Sequence, residues 1–158
     1  MTRSALLRPF DLGGHRLRNR VVMPAIHLGR AREGRPTPDL VDFYARRARG
    51  GAGAITVGVC DTGGVAGGAP SLAGALSLAR DELIEPLADL AGAIALEGAV
   101  PGVQLAPLAG YNDPRRAPDF AGLAGLVEAV GAAAERARRA GFAYAQILLS
   151  GGSVLSHL

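Results

Sequence analysis

Few side chains in this sequence are placed to do chemistry, and they gather near the ends of short apolar runs. Gln104 lies late in the run Pro101 to Leu105. A glutamine offers a donor and an acceptor side by side, so it can pair an N–H and a C=O of one ligand. Met23, Pro24 and Ala25 lie in the run Val21 to Ile26, and His27 stands just past it. Cys60 follows the run Gly53 to Val59 and borders a glycine-rich stretch. A redox or substrate role competes there with that of a small buried residue. Tyr111 falls in a polar segment with Asn112, Arg115 and Arg116, and His157 is given no role. The glycines of 63–68 lack the spacing and the lysine of a phosphate loop, and no GxGxxG opens a helix.

These residues need elements to hold them, and the sequence repeats one grammar: buried strand, loop, amphipathic helix. Leu6 to Arg18 reads as a hairpin turning at Gly13-Gly14, with Phe10, Leu12 and Leu17 alternating with polar neighbours. Val21 to Ile26 reads as the first strand, with Pro24 toward its end because proline cannot donate to a ladder. Thr37-Pro38-Asp39 is a helix start, Leu40, Val41, Tyr44 and Ala48 form one face, and Gly50-Gly51 stops it. Gly53 to Val59 is the second strand and 60–70 a loop. Asp81 to Glu97 is the second helix, facing inward through Leu83, Leu87, Leu90, Ala91 and Ile94. Pro101 to Leu105 is the third strand. Asp119 caps a third helix whose apolar face is Leu123, Leu126, Val127, Val130, Ala134 and Ala137. Ala143 to Leu149 is the fourth strand. The order β-α-β-α-β-α-β predicts an α/β fold with a parallel sheet and right-handed crossovers.

Length sets the scale. The 158 residues make one domain with a real core, but an eight-stranded α/β barrel needs about 250. Four strands are half a barrel, so a single half-barrel domain over 1–158 is expected, with 1–20 as its hairpin cap. No apolar run approaches the roughly 18 residues of a membrane span, and the first residues show no signal-peptide pattern. One cysteine rules out an internal disulfide and fits a reducing compartment, so a cytoplasmic protein without membrane attachment is expected. All 17 basic residues are Arg, scattered and concentrated in last turns of helices, where they complement the helix dipole. Aromatics are 4%, so no basic stripe interleaved with rings points to nucleic acid.

Four stretches carry a family resemblance: L-R-N-R-V-V-M-P-A at 17–25, F-Y-A-R-R-A-R-G-G-A-G at 43–53, G-V-Q-L at 102–105 and A-R-R-A-G-F-A-Y-A-Q-I at 137–147. The chain resembles the N-terminal half of a TIM (β/α)8 barrel of the old yellow enzyme family of FMN-dependent oxidoreductases. Within it, the chain is most similar to the bacterial 2,4-dienoyl-CoA reductase branch. The resemblance implies an FMN site at the C-terminal ends of the strands. Met23, Pro24 and Ala25 would lie against the flavin ring, Gly58 and Val59 would end the second strand beside it, and Gln104 would pair its pyrimidine side. His27, Tyr111 and Ser153 are weaker candidates for substrate contact.

The same resemblance marks departures. The family's Q-L-x-H-x-G-R after strand three is here Gln104-Leu105-Ala106-Pro107-Leu108-Ala109-Gly110, without the His and Arg. Ser153 stands where the dienoyl-CoA branch has its proton-donating Tyr, and Ser is a far weaker acid. The phosphate site and the iron–sulfur cysteines of the family's C-terminal half have no counterpart in these residues. The implied function is hydride transfer from NAD(P)H through FMN to an electron-poor, enone- or enoyl-type small molecule. The unpaired edges of a half-barrel invite association, so a partner half-barrel is expected, either a separate C-terminal half or a second copy. The rival expectation is a catalytically silent scaffolding subunit, and the plainest is a truncated gene.

Overall fold

A computed structural model of the chain describes residues 4–63, 72–108 and 120–149, and side chains within the last segment from residue 123. A hairpin comes first: β1 (Phe10–Leu12) pairs antiparallel with β2 (His15–Leu17). Gly13 and Gly14 both take positive φ, the backbone a two-residue hairpin turn needs. Leu17 is buried, whereas Phe10 and Leu12 are each 41% exposed, so the hairpin's alternation does not face the core.

The main sheet has the order β3–β4–β6–β7, all parallel: β3 (Val22–Met23), β4 (Ala54–Asp61), β6 (Val100–Ala106) and β7 (Tyr144–Ile147). A short strand, β5 (Leu76–Ser77), also pairs with β4. Three helices cross over between these strands: α1 (Pro38–Arg49), α2 (Ile84–Leu96) and α3 (Phe120–Arg139). The expected half-barrel architecture is present.

Several boundaries differ from the sequence reading. The first strand is two residues rather than Val21 to Ile26, because the ladder with β4 stops before Pro24, which has no N–H to give. The second strand runs on through Cys60 and Asp61, assigned above to a loop. Once β3 has ended, β5 takes its place along that edge and pairs Cys60 with Leu76 and Asp61 with Ser77. The second helix opens with a 3-10 turn at Asp81–Leu83, and Pro86 falls among the first four helical residues, whose N–H groups need no helical partner. The fourth strand is confined to Tyr144–Ile147. On α3, Val127 is 71% exposed instead of inward. The buried stripe runs through Leu126, Ala133, Ala137 and Ala140, and Val127 lies one position off it.

The helices form as their sequences dictate. Thr37 caps α1: its hydroxyl accepts from the Leu40 N–H at 3.4 Å and donates to the Arg30 carbonyl at 3.0 Å. Leu40, Tyr44 and Ala48 are the buried face of α1, and Leu87, Leu90, Ala91 and Ile94 that of α2. These meet Ile55, Val57, Val103 and Leu105 from one face of the sheet to make the core.

Arg18 and Asn19 of the L-R-N-R stretch tie the lower ends together. The Arg18 guanidinium donates to the carbonyls of Ala52 and Glu97, each at 3.1 Å, and of Ala48. Two of these close the C-terminal ends of α1 and α2, where carbonyls lack helical partners and a cation suits the dipole. The Asn19 amide donates to the Gly51 carbonyl at 2.7 Å and accepts from the Val21 N–H at 3.0 Å. A side chain on Gly53 would run into Asn19.

Candidate functional site

Alternation along the strands puts Thr56 and Gly58 of β4, Gly102 and Gln104 of β6, and Tyr144 and Gln146 of β7 on the face opposite the helices. This is the concave face of the half-barrel. At its lower level the Tyr144 ring lies over Gly102, where any side chain would overlap it. The Tyr144 hydroxyl reaches on to the Thr56 Oγ1 at 2.8 Å, spanning from β7 across β6 to β4. Burial raises the Tyr144 hydroxyl above the ordinary tyrosine range. It fills the inside of the sheet as a neutral phenol.

The next level, toward the C-terminal ends of the strands, holds the residues singled out from sequence. Ala25, Gly58 and Gln104 come together. A Cβ placed on Gly58 would lie 2.6 Å from the Ala25 Cβ and 3.5 Å from the Gln104 Cβ. Gly58 is therefore glycine so that the chain leaving β3 can close against β4. Gln104 is half-buried, in register with Gln146 on the neighbouring strand. Among the described residues neither amide has a hydrogen-bond partner, which leaves the donor and acceptor of Gln104 facing the concavity.

The other candidates separate. Met23 is half-buried and packs against the main core, Pro24 is exposed, and Ala25 is half-buried. Val59 packs against a small apolar cluster of Ala75, Ala106 and Leu108. His27 is exposed, and its Nε2 lies 3.1 Å from the Ala73 carbonyl, tying the chain after β3 to the segment before β5. Tyr111 and Ser153 lie outside the described residues, as does His157. Cys60 is fully buried, and burial together with the adjacent Asp61 carboxylate pushes its thiol well above the usual range. A thiol held protonated in an apolar core is a poor nucleophile, so the reading as a small buried residue is the one the structure supports.

Tyr44 was legible only as part of an apolar helix face. It is fully buried, and its hydroxyl lies 3.4 Å from both the N–H and the carbonyl oxygen of Gly58, accepting from the first and donating to the second. Nothing in a 3.6-residue apolar stripe announces such a contact.

A cavity of about 870 Å³ lies in the loop between β3 and α1, lined by Gly29, Arg30, Arg32, Arg35 and Thr37 among others. None of the candidate residues lines it. Among the described residues the concave face has a single wall, the sheet of the half-barrel. Among the described residues no group of His, Cys, Asp and Glu could hold a metal ion, and no helix is long and apolar enough to cross a membrane.

Among the described residues, then, a parallel half-barrel presents an unpartnered amide toward the C-terminal end of its third barrel strand. The chain belongs to the family described as NADH:flavin oxidoreductase / NADH oxidase, which it matches over residues 5–121. It is 34% identical to a protein named metal reductase from Desulforamulus reducens, over 97% of this chain and 25% of that one. Solved structures share the fold. Morphinone reductase superposes with a TM-score of 0.79 at 21% identity, covering 97% of this chain and 50% of that one. Old yellow enzyme from Pichia sp. AKU4542 gives 0.82 at 16% identity, covering 98% and 48%. A 2-naphthoyl-CoA reductase complex gives 0.80 at 18%, covering 94% and 28%. The chain thus spans a quarter to about half the length of these relatives, matching the N-terminal half of the barrel.

Proposed function

We propose that this chain is the N-terminal half of the flavin site of an FMN-dependent oxidoreductase, completed by a C-terminal half-barrel. The observation that carries the reading is the half-buried Gln104 amide, without a hydrogen-bond partner among the described residues and set beside the Ala25–Gly58 contact toward the C-terminal ends of the strands. A flavin's pyrimidine edge alternates N–H and C=O groups, and a glutamine matches one of each. In this reading Gln104 donates to a ring carbonyl and accepts from a ring N–H, fixing orientation. Ala25, set against Gly58, forms a small wall that leaves room for a planar ring, while the Met23 side chain packs into the core behind it. Val59 follows Gly58 in the second barrel strand, two residues before that strand ends at Asp61.

FMN held there supplies a hydride relay between NAD(P)H and an electron-poor acceptor of the enone or enoyl class. Gln104, Ala25 and Gly58 carry no acidic proton, so in this reading the substrate's proton comes from outside that set. Pro107, Gly110 and Ser153 occupy positions where the family resemblance expects His, Arg and Tyr. That loss favours a second reading, a scaffolding half that stabilises a partner without turning over substrate.

The experiment is an absorbance spectrum and a light-scattering mass of the protein assembled with the half that completes its barrel. A near-stoichiometric flavin band that is lost on Gln104→Ala supports the flavin site. A colourless assembly removes it and leaves the scaffold.

A further inference from the structure

The main chain of β4 has a gap in its ladders at one place. On one side, β3 pairs with Ala54 and Ile55, and β5 takes up again only at Cys60. On the other side, the register with β6 breaks between Val57 and Cys60. Gly58 and Val59 therefore pass between two strands without a ladder partner on either. Buried backbone groups left unpaired carry a large cost. Tyr44 meets that need from the helical side: its hydroxyl, fully buried, bridges the N–H and the carbonyl of Gly58, each at 3.4 Å. Burial keeps the phenol protonated, so the donor persists at all working pH values. Irregular strand segments of this kind occur next to active sites, where they re-aim the chain.

We infer that Tyr44 is a positioning residue of the flavin site, fixing through Gly58 the height of the β4 segment against which Ala25 and Gln104 are set. The inference rests on the flavin reading above, and it assigns a role in that site to a side chain that lies behind the sheet and touches no ligand. The link is geometric. Tyr44 holds the main chain of Gly58, and the missing Cβ of Gly58 is the point where Ala25 and Gln104 converge. If the Gly58 peptide shifts, the wall and the amide shift with it.

The test uses Tyr44→Phe, which keeps the ring in the core and removes only the hydroxyl, alongside Leu90→Val as a core change on α2 remote from Gly58. In the flavin-free protein, amide hydrogen exchange at Gly58 is expected to quicken about tenfold in Tyr44→Phe and not in Leu90→Val. In the completed barrel, FMN affinity is expected to fall about five- to tenfold in Tyr44→Phe, with a displaced visible band of the bound flavin, while Leu90→Val keeps the wild-type affinity and band. Unchanged exchange at Gly58 would overturn the anchor. Wild-type affinity and band in Tyr44→Phe, or equal losses in both variants, would reduce Tyr44 to a core residue. If the wild-type protein binds no FMN, the flavin reading itself is lost and the positioning role with it, whatever the exchange shows.

Discussion

Gly58 and Ala25 are packed so closely that the first has no room for a side chain: a Cβ on Gly58 would stand 2.6 Å from the Ala25 Cβ and 3.3 Å from its Cα. Gly58→Ala is therefore expected to destabilise the protein by about 1–3 kcal/mol through overpacking. Ala25→Gly in the same chain removes the nearer obstacle and should restore part of the loss. A double-mutant cycle by urea denaturation measures the coupling. Additive effects would show that the two residues do not press on one another.

Arg18 offers a second test. One guanidinium serves three carbonyls from two parts of the chain, those of Ala48 and Ala52 around the end of α1 and that of Glu97 at the end of α2. Arg18→Ala should cost about 2–4 kcal/mol, the scale of several hydrogen bonds from a charged donor. Arg18→Lys should recover little, because an ammonium cannot present a planar fork to three acceptors. Full rescue by Lys, read from the denaturation midpoint, would show that charge alone matters.

Asp81 links the start of α2 to α3, taking Arg136 at 2.7 Å and Arg139 at 2.8 Å. The hydrogen bonds from Arg139 and Arg136 hold its carboxyl below the ordinary value of 3.8. A carboxylate with a lowered folded pKa adds stability that is complete above its unfolded value and disappears as pH falls through the folded one. The melting temperature of the wild type should therefore fall more steeply than that of Asp81→Asn as pH drops below 3.8. Because the carboxylate is exposed, the difference should be small and shrink with added salt. Parallel curves for the two proteins would exclude the contribution.

Cys60 should resist thiol reagents in the native state. Its thiol is buried and held protonated, so modification has to wait for the chain to open. The labelling rate should rise with denaturant in step with unfolding, and rapid labelling of the folded protein would contradict the placement of Cys60 in the core.

The helices were readable from sequence because their signals are local. Thr37-Pro38-Asp39 marks the start of α1 and Gly50 its end by rules that involve only neighbouring residues. The strands were readable as buried runs, but not their limits, since a strand ends where its partner does. Val21 to Ile26 looked continuous, yet only Val22 and Met23 find a ladder; β5 went unseen because two residues show no periodicity. In the site, the small residues and the amide at strand ends could be picked out one at a time, and the structure brings Ala25, Gly58 and Gln104 to one spot. The hydroxyl of Tyr44 could not be picked out. Its ring satisfied the apolar stripe of α1, and the backbone gap it fills exists only once three strands have assembled. The Tyr144–Gly102 overlap is of the same kind, a long-range fit between two residues unremarkable in isolation.

The order of the sheet bears on how the chain is made. Strands β4, β6 and β7 each lie beside the barrel strand synthesised just before, and the contacts of Arg18 wait for carbonyls that emerge in sequence at 48, 52 and 97. Such a topology can grow from the ribosome one strand–helix unit at a time, with no early segment held open for a distant late one. Growth of this kind has no internal stop. Among the described residues β7 pairs with β6 alone and no helix follows it, leaving Ile147 47% exposed, so its other edge is a template for a further β-strand.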